Sequence, residues 1–291
     1  MHPLRAIDPL VVEGPLELRF EDVTQQGRLT PTALPHALSI AWRTAIVHHP
    51  LHGELLASGI LPVLSRLVCE PAGGDGLVTV RDRVGARVRC HLAHVPAASP
   101  ADLRIVFVME GHCFREAPGG IAQATLLGRV WAEHVLSRPM APHGQRRVYA
   151  LPDGSIPAAV HAWVDGDSID ALPPDAEALE PEAQDDACVT VFGMDHTDGN
   201  HHVNSLVYVR LLMDAALRRL DALGALPSAL RVRHVDLRFV RPSFATDRVR
   251  WRLQAFRAPQ AGTASGHVGV RAALYAHGDP RPRVRARVEF D

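Results

Sequence analysis

The stretch D-H-T-D-G-N-H-H-V-N-S-L-V-Y, residues 195–208, places Asp198, Asn200, His202 and Asn204 at alternate positions of one short polar segment. An amphipathic run with apolar residues at helical spacing follows directly, so the polar segment is expected to be the turn that leads into a helix. Nowhere else in the chain are so many groups that can move protons or hold a carbonyl oxygen so close together. The other segments are therefore interpreted as the scaffold around this turn.

The second half of the chain has a simple predicted order around the turn. A strand at 188–194 precedes it, and a helix is predicted at 203–223 after it. Strands rich in valine, leucine and alanine follow the helix and are predicted at 230–240, 248–256, 267–276 and 282–290.

The first half repeats this order. A strand is predicted at 15–22, and a helix at 33–48 begins after Thr30 or Thr32 as its N-cap. Five strand-like segments follow, at 60–69, 77–84, 88–95, 103–110 and 124–136. Because the strand, helix and strands occur twice, the sequence predicts an α+β protein of two similar subdomains in tandem. Their predicted bounds are 1–141 and 187–291, with an acidic, turn-rich linker at 142–186.

Composition excludes several classes of function. A net charge of -1 gives no broad attraction to nucleic acid or to a membrane surface, and no apolar run reaches membrane-spanning length. Every basic residue is Arg, so chemistry that needs a catalytic lysine is excluded. The four cysteines form no C-x-x-C pair and follow no secretory signal, which indicates a reduced, cytoplasmic protein.

The residues of the turn suit the chemistry of thioester hydrolysis. Asp198 can attack a carbonyl directly or deprotonate water, and His202 can share the proton transfer. Asn200 can fix the water or the carbonyl. The start of the following helix, near Val203 and Asn204, supplies backbone N-H groups where an oxyanion would develop.

The same segment resembles a known family. Asp198-Gly-Asn200-His-His202-Val-Asn204 is similar to the D-x-N-x-H-V-N-N motif of acyl-ACP thioesterases of the plant and bacterial type. Tyr208 and the stretch F-V-R-P-S-F-A-T-D, which ends at residue 247, extend the resemblance. These enzymes are tandem double hotdogs, in which each antiparallel sheet wraps around a central helix and the motif lies in the second half.

Carried over by position, the resemblance implies that Asp198, Asn200 and His202 are catalytic. It also implies that Val203, Asn204 and Tyr208 contact the substrate. The further acidic or cysteine residue of the family falls near Pro242 and Ser243, and neither side chain can serve in the same way. This departure weakens the prediction of hydrolysis more than the prediction of an acyl-thioester site.

Other interpretations of the turn remain open. Asp, Asn and Gly are common as helix caps and turn formers, and Asn204 is the member best suited to a purely structural role. His196, His201 and His202 with Asp198 suggest a metal cluster, but their spacing matches no common ligand motif, so no metal is predicted.

Three weaker candidates lie outside the turn. The equivalent first-half segment, residues 22–31, has no histidine, with Gly27 and Thr30 expected opposite the His202 position. Residues 110–114, E-G-H-C-F, are interpreted as a turn. Arg-rich strands at 231–241 and 281–287 are either a solvated sheet face or a patch for the phosphates of coenzyme A or an acidic carrier protein.

The sequence therefore predicts a thioesterase that releases a carboxylic acid from acyl carrier protein or coenzyme A, in fatty acid or polyketide metabolism, without a cofactor. Two alternatives remain: a hotdog dehydratase, hydratase or acyl transferase on a carrier-bound substrate, and a non-catalytic acyl-binding module. Neither nucleic acid nor a membrane is an expected partner. The sequence leaves the oligomeric state open.

Overall fold

The computed structural model describes residues 9–74, 76–97, 102–116, 124–226, 230–259 and 266–291. The chain divides into two compact units, Met1–Trp163 and Val164–Asp291. Both units are antiparallel sheets with few helices, in agreement with the predicted α+β class. The segment 142–186, predicted as a linker, is divided between the two units.

The sheet of the first unit has the strand order β1-β3-β4-β5-β2, and every neighbouring pair is antiparallel. Its strands are β1 (Leu10–Leu16), β2 (Leu61–Pro71), β3 (Val84–Val95), β4 (Arg104–Arg115) and β5 (Thr125–Ser137).

Three expectations for this unit were wrong. The predicted strand at 15–22 is displaced, because β1 ends at Leu16 and Phe20–Asp22 forms a 3-10 turn. Residues 77–84 form no strand before β3 begins at Val84, since Val78 donates its backbone N-H to the carbonyl of Gly27 at 2.7 Å. The predicted turn at 110–114 lies inside β4.

The helix of the first unit is irregular. In place of one helix at 33–48, α1 (His36–Ala41) continues into a π-helical turn at Trp42–Ile46, and α2 (Pro50–Ala57) follows. The Thr44 hydroxyl donates to the carbonyl of Ile40 at 2.8 Å within this region, a side-chain contact that competes with regular helical bonding.

Two glycines allow the first helical region to lie close to its sheet. A Cβ atom at Gly128 would meet Leu34 Cδ2 at 2.6 Å, and one at Gly111 would meet Leu38 Cδ2 at 3.1 Å. The first distance is shorter than real Cβ contacts and the second is unusually tight, so a side chain at either position would press the helical region away from the sheet.

The sheet of the second unit has the order β9-β12-β11-β10, again antiparallel, with three short strands paired to the outer edge of β10. Its strands are β6 (Glu177–Ala178), β7 (Gln184–Asp185), β8 (Thr190–Val191), β9 (Val232–Phe239), β10 (Arg248–Ala258), β11 (His267–Ala276) and β12 (Pro282–Phe290). The predicted strand at 188–194 is reduced to the two residues of β8.

The second unit contains the longest helix, α4 (Ser205–Ala222), and a short one, α3 (Gly166–Asp170). One stripe of α4 is buried against β10, β11 and β12, while α3 packs on the sheet at β9, β11 and β12. The buried residues of α4 recur at helical spacing, which is the pattern that predicted it: Val207, Tyr208, Val209, Leu212, Ala215, Ala216 and Leu220. Within the described parts of the chain, no helix is long and apolar enough to cross a membrane.

The two units share one connectivity. In each, the strand after the helix pairs with the last strand, and the two remaining long strands follow in reverse chain order toward the edge. The edge position is filled by β1 in the first unit and by the short strands β7 and β8 in the second. The turn ahead of the helix therefore occupies the equivalent position in the connectivity of each unit.

Candidate functional site

Main-chain hydrogen bonds close the polar turn. Thr197 and Val203 form an isolated antiparallel bridge, and the Asp198 N-H donates to the carbonyl of His202 at 3.1 Å. His201 lies in the left-handed region with φ of 62°, which a residue other than glycine or asparagine seldom adopts. The bridge and its tight loop fix the backbone positions from which the polar side chains of the turn project.

Asp198 is the centre of the side-chain contacts. Its Oδ1 accepts the N-H of Asn200 at 2.9 Å, and its Oδ2 accepts Nδ2 of Asn204 at 3.3 Å. Asn204 is also the N-cap of α4, because its Oδ1 accepts the N-H of Leu206 at 2.9 Å. One asparagine thus caps the helix and steadies the carboxylate, so the structural and chemical interpretations of Asn204 are compatible.

The other two predicted catalytic side chains face solvent. Asn200 and His202 are exposed, as is Asp198. The His202 ring packs edge-on against Phe244, with ring centroids 5.3 Å apart. Within the described residues, no hydrogen bond joins the side chains of Asp198 and His202. The two residues are connected by the main-chain hydrogen bond from the Asp198 N-H to the His202 carbonyl.

Val203 and Tyr208, predicted to contact the substrate, are buried beneath the turn. The Val203 N-H donates to the carbonyl of Ser243 at 2.9 Å, and the Tyr208 ring lies between Phe192 and Phe239 at centroid distances of 5.8 and 5.7 Å. Burial raises the pKa of Tyr208, an effect that the nearby Ser243 opposes. The Ser243 hydroxyl is itself buried and makes no hydrogen bond of good geometry within the described residues. The role of Val203 and Tyr208 in substrate binding stays a prediction.

The backbone amides at the start of α4 are not equivalent. Those of Val203, Asn204, Leu206 and Val207 each donate to an acceptor in the turn or the neighbouring loop. The N-H of Ser205, the first residue of the helix, has no acceptor among the described residues. This moves the candidate oxyanion donor from the predicted Val203 and Asn204 to Ser205, a feature that residue type alone does not reveal.

The first unit contains a second copy of the turn. There Val23 and Leu29 form the bridge, and the Thr24 N-H donates to the carbonyl of Arg28 at 2.7 Å. Gly27 has a φ of 71° at the position of His201. These bonds align the two turns residue by residue. In this alignment Thr24 corresponds to Asp198, Gln26 to Asn200, Arg28 to His202, Thr30 to Asn204, and Pro31 to Ser205.

This alignment corrects the expected correspondence, since Arg28, and neither Gly27 nor Thr30, stands at the His202 position. The Arg28 guanidinium is committed to structure, because it donates to the carbonyls of Ala72 at 3.0 Å and Gly74 at 2.7 Å. The first turn therefore has the backbone of the second without its carboxylate or imidazole, and Pro31 has no N-H to donate.

In the part of the chain that the structure describes, neither a metal site nor a reactive buried thiol lies beside the turn. Among the described residues, no group of three or more His, Cys, Asp or Glu side chains is placed to hold a metal ion. Burial raises the pKa of Cys90 and of Cys113 to about 12, so both thiols stay protonated. Only Cys188 of the four cysteines is exposed.

The first unit also has a small, partly open apolar pocket of about 30 Å³ beside the π-helical turn. This volume is about that of one water molecule, so in this conformation it is too small for an acyl chain. Its walls are Trp42, Ile46, Leu51, His52, Leu55, Ile60, Pro62, Leu92, Phe107 and Leu136.

No family model matches the sequence, and no curated protein matches it. Solved structures do resemble the fold. A protein assigned as an oleoyl thioesterase from Lactobacillus plantarum matches with a TM-score of 0.63 at 15% identity, over 97% of this chain and 95% of that one.

Two further structures match over nearly their full lengths. An acyl-ACP thioesterase from Bacteroides thetaiotaomicron has a TM-score of 0.55 at 16% identity, over 97% of this chain and 98% of its own. The 12:0-ACP thioesterase from Umbellularia californica has a TM-score of 0.53 at 16% identity, over 96% of each chain. At this identity the likeness establishes the fold, and it confirms the predicted resemblance at that level.

Proposed function

We propose that this chain is an acyl thioesterase built from two hotdog subdomains in tandem, each with its sheet around a central helix, and that it hydrolyses a thioester of acyl carrier protein or coenzyme A. The observation that carries the proposal is the Asp198 carboxylate. It is exposed, held by two hydrogen bonds, and placed at the entrance of α4 beside an unused N-H, in a chain with the fold of three thioesterases.

In the proposed reaction Asp198 acts first. Its carboxylate takes a proton from a water molecule positioned by the Asn200 amide, and the water oxygen attacks the thioester carbonyl carbon. The negative charge that develops on the carbonyl oxygen is stabilised by the Ser205 N-H and by the positive end of the α4 dipole. The carbon-sulfur bond then breaks, and His202 donates a proton to the leaving thiolate. Direct attack by Asp198 on the carbonyl is the alternative first step: it breaks the carbon-sulfur bond and forms an acyl-Asp198 anhydride, which a water molecule then hydrolyses to the same carboxylic acid and the free carboxylate.

The test is thiol release from a panel of acyl thioesters, followed with a chromogenic thiol reagent. We expect the unmodified protein to release thiol and Asp198→Ala to abolish release. Asp198→Thr is the matched variant, because the first unit already folds this turn with Thr24 at the same position. Both variants should unfold at the temperature of the unmodified protein.

Unchanged turnover in either folded variant would remove Asp198 from the mechanism. Loss of water from a β-hydroxyacyl thioester without thiol release would favour a dehydratase in place of the hydrolase. Binding of acyl thioesters with no turnover of any of them would favour an acyl-binding module.

A further inference from the structure

Three arginines form a row on the outer face of the second sheet. Arg248, Arg250 and Arg252 alternate along β10 with Val249 and Trp251, which are buried. Because alternate residues of a strand point to the same face, the three exposed guanidiniums project together, with neighbouring Cα atoms about 7 Å apart. A row of like charges on one face destabilises the sheet unless the charges meet partners.

Elsewhere on the same face the arginines have hydrogen-bond or ion-pair partners. Arg271 donates to Gln254 and to the carbonyl of Asp170, and Arg285 pairs with the carboxylate of Asp170 on α3. The guanidiniums of Arg271 and Arg285 are therefore held in place by partners of the same unit. This is the arrangement expected of arginines with a purely structural role.

The β10 row lacks such compensation. Asp185 on the edge strand β7 is its acidic partner, at 3.3 Å from Arg252 and 3.8 Å from Arg250. Asp185 is itself half exposed, and exposed pairs of this kind contribute little. Among the described residues no ion pair or hydrogen bond reaches the guanidinium of Arg248. The row thus retains a local positive charge on a chain whose net charge is -1.

The row lines an open groove of about 520 Å³, a size typical of ligand and partner sites. Tyr275 and His277 on its other wall add groups that can donate hydrogen bonds. The Asp279 carboxylate also lines this wall, but it is paired with Arg241 at 2.5 Å. Val189 lies in the groove and Val191 is opposite Arg248 in the sheet, and both are exposed. Arginine and tyrosine next to exposed apolar side chains are characteristic of protein interfaces.

The groove begins beside the candidate site. Phe244, whose ring contacts His202, starts a turn in which the Asp247 N-H donates to its carbonyl at 3.2 Å, and Arg248 is the next residue. The loop is fastened to the strand before the polar turn, since the Phe192 N-H donates to the carbonyl of Asp247 at 3.0 Å. A partner in the groove would therefore lie at the end of the loop that supports His202.

We propose that this groove docks the acidic carrier protein that bears the acyl group, so that carrier-bound thioesters, in preference to those of coenzyme A, are the substrates. The inference depends on the proposed thioesterase function. Acidic side chains one turn apart on a helix are separated by about 5–6 Å, close to the spacing of the arginines, so an acidic helix can meet all three. The phosphates of coenzyme A need converging donors, whereas these guanidiniums form an extended row.

The test is a binding titration with fluorescently labelled holo-acyl carrier protein, which does not depend on turnover. We expect Arg248→Glu with Arg250→Glu to weaken binding at least about tenfold, because the reversed charges repel an acidic partner. Arg257→Glu is the matched control, since Arg257 is an exposed arginine at the far end of β10, outside the groove. Its affinity should stay within about twofold, and binding to the unmodified protein should fall with added salt.

Several results would overturn the proposal. They are failure of the unmodified protein to bind the carrier, equal weakening by Arg257→Glu, and full binding by the double variant. Displacement of the carrier by free coenzyme A, with an equal rise in KM for acyl-coenzyme A in the double variant, would show that the groove binds a small phosphate ligand. Hydrolysis of an acyl-N-acetylcysteamine thioester, which has no carrier or phosphate, is measured in parallel. If that activity is absent the thioesterase function fails, and if it persists without carrier binding only the docking surface fails.

Discussion

Replacement of Ser205 by proline isolates one backbone N-H at the start of α4. Proline removes that N-H and is well tolerated at the first position of a helix, where the group has no helical partner. The preceding Asn204 has φ of -61° and ψ of 139°, the extended conformation that proline requires of the residue before it. The first unit already has Pro31 at the matching position of the same turn. The variant should therefore fold with its N-cap intact.

The expected loss of activity follows from the role of the N-H. If it stabilises the oxyanion, its removal should lower kcat about 10²–10³-fold, or about 3–4 kcal/mol of transition-state stabilisation. KM should change much less, because the interaction strengthens only as charge develops on the oxygen. The assay is steady-state thiol release, with circular dichroism and thermal unfolding to check the fold.

Ser205→Ala is the control for the proline variant. It removes the hydroxyl and keeps the N-H, so its kcat should stay close to that of the unmodified protein. Turnover of Ser205→Pro within about threefold of the unmodified enzyme would refute the reasoning, since a lost oxyanion donor costs far more. A loss of equal size in both variants would assign the effect to the hydroxyl.

Three other predictions concern the scaffold. In the native protein at pH 8 one thiol per chain, Cys188, should react rapidly with a chromogenic disulfide, because Cys69, Cys90 and Cys113 are buried and raised pKa values keep the Cys90 and Cys113 thiols protonated. All four thiols should react in denaturant. Burial lowers the pKa of His134 to about 4, so between pH 6.5 and 4 the unfolded chain binds the extra proton and stability falls as pH falls, by at most about 1.4 kcal/mol per pH unit. Urea unfolding at several pH values should show this slope, and His134→Phe should reduce it, leaving the contribution of His91, whose pKa burial also lowers. Gly128→Ala should lower the free energy of unfolding by about 1–3 kcal/mol, measured in the same way, because its Cβ would overlap Leu34.

The sequence predicted the second unit better than the first. The strands at 267–276 and 282–290 were predicted at their observed bounds, because apolar residues alternate along 282–290 and recur almost continuously along 267–276, and charged residues or turn formers end both strands. The first strand was misplaced because the alternation of Leu16, Leu18 and Phe20 continues beyond the sheet into a turn, where Phe20 is 85% exposed. Periodicity shows which side chains alternate along the chain. It does not show where a strand stops pairing with its neighbouring strand.

The site shows a similar division. Asp198, Asn200 and His202 were predicted from sequence because their side chains are unusual together and their clustering in one turn is a local property, and their catalytic role stays a prediction. The packing of Phe244 on His202 and the bond from Val203 to Ser243 join residues about forty positions apart, so no local pattern predicts them. The unused Ser205 N-H was missed for another reason, because it depends on which neighbouring amides already have acceptors.

The paired turns separate the requirements of folding from those of chemistry. The first turn keeps the bridge, the closing hydrogen bond and the left-handed residue with Thr24 and Arg28 in place of the carboxylate and imidazole, and with Pro31 in place of the amide donor. The backbone therefore needs none of the three groups for which catalytic roles are proposed. Hence His202→Arg, like Asp198→Thr and Ser205→Pro, introduces a residue that this backbone already accepts. Loss of turnover in these variants reports on chemistry, because the first unit supplies the evidence that the turn still forms.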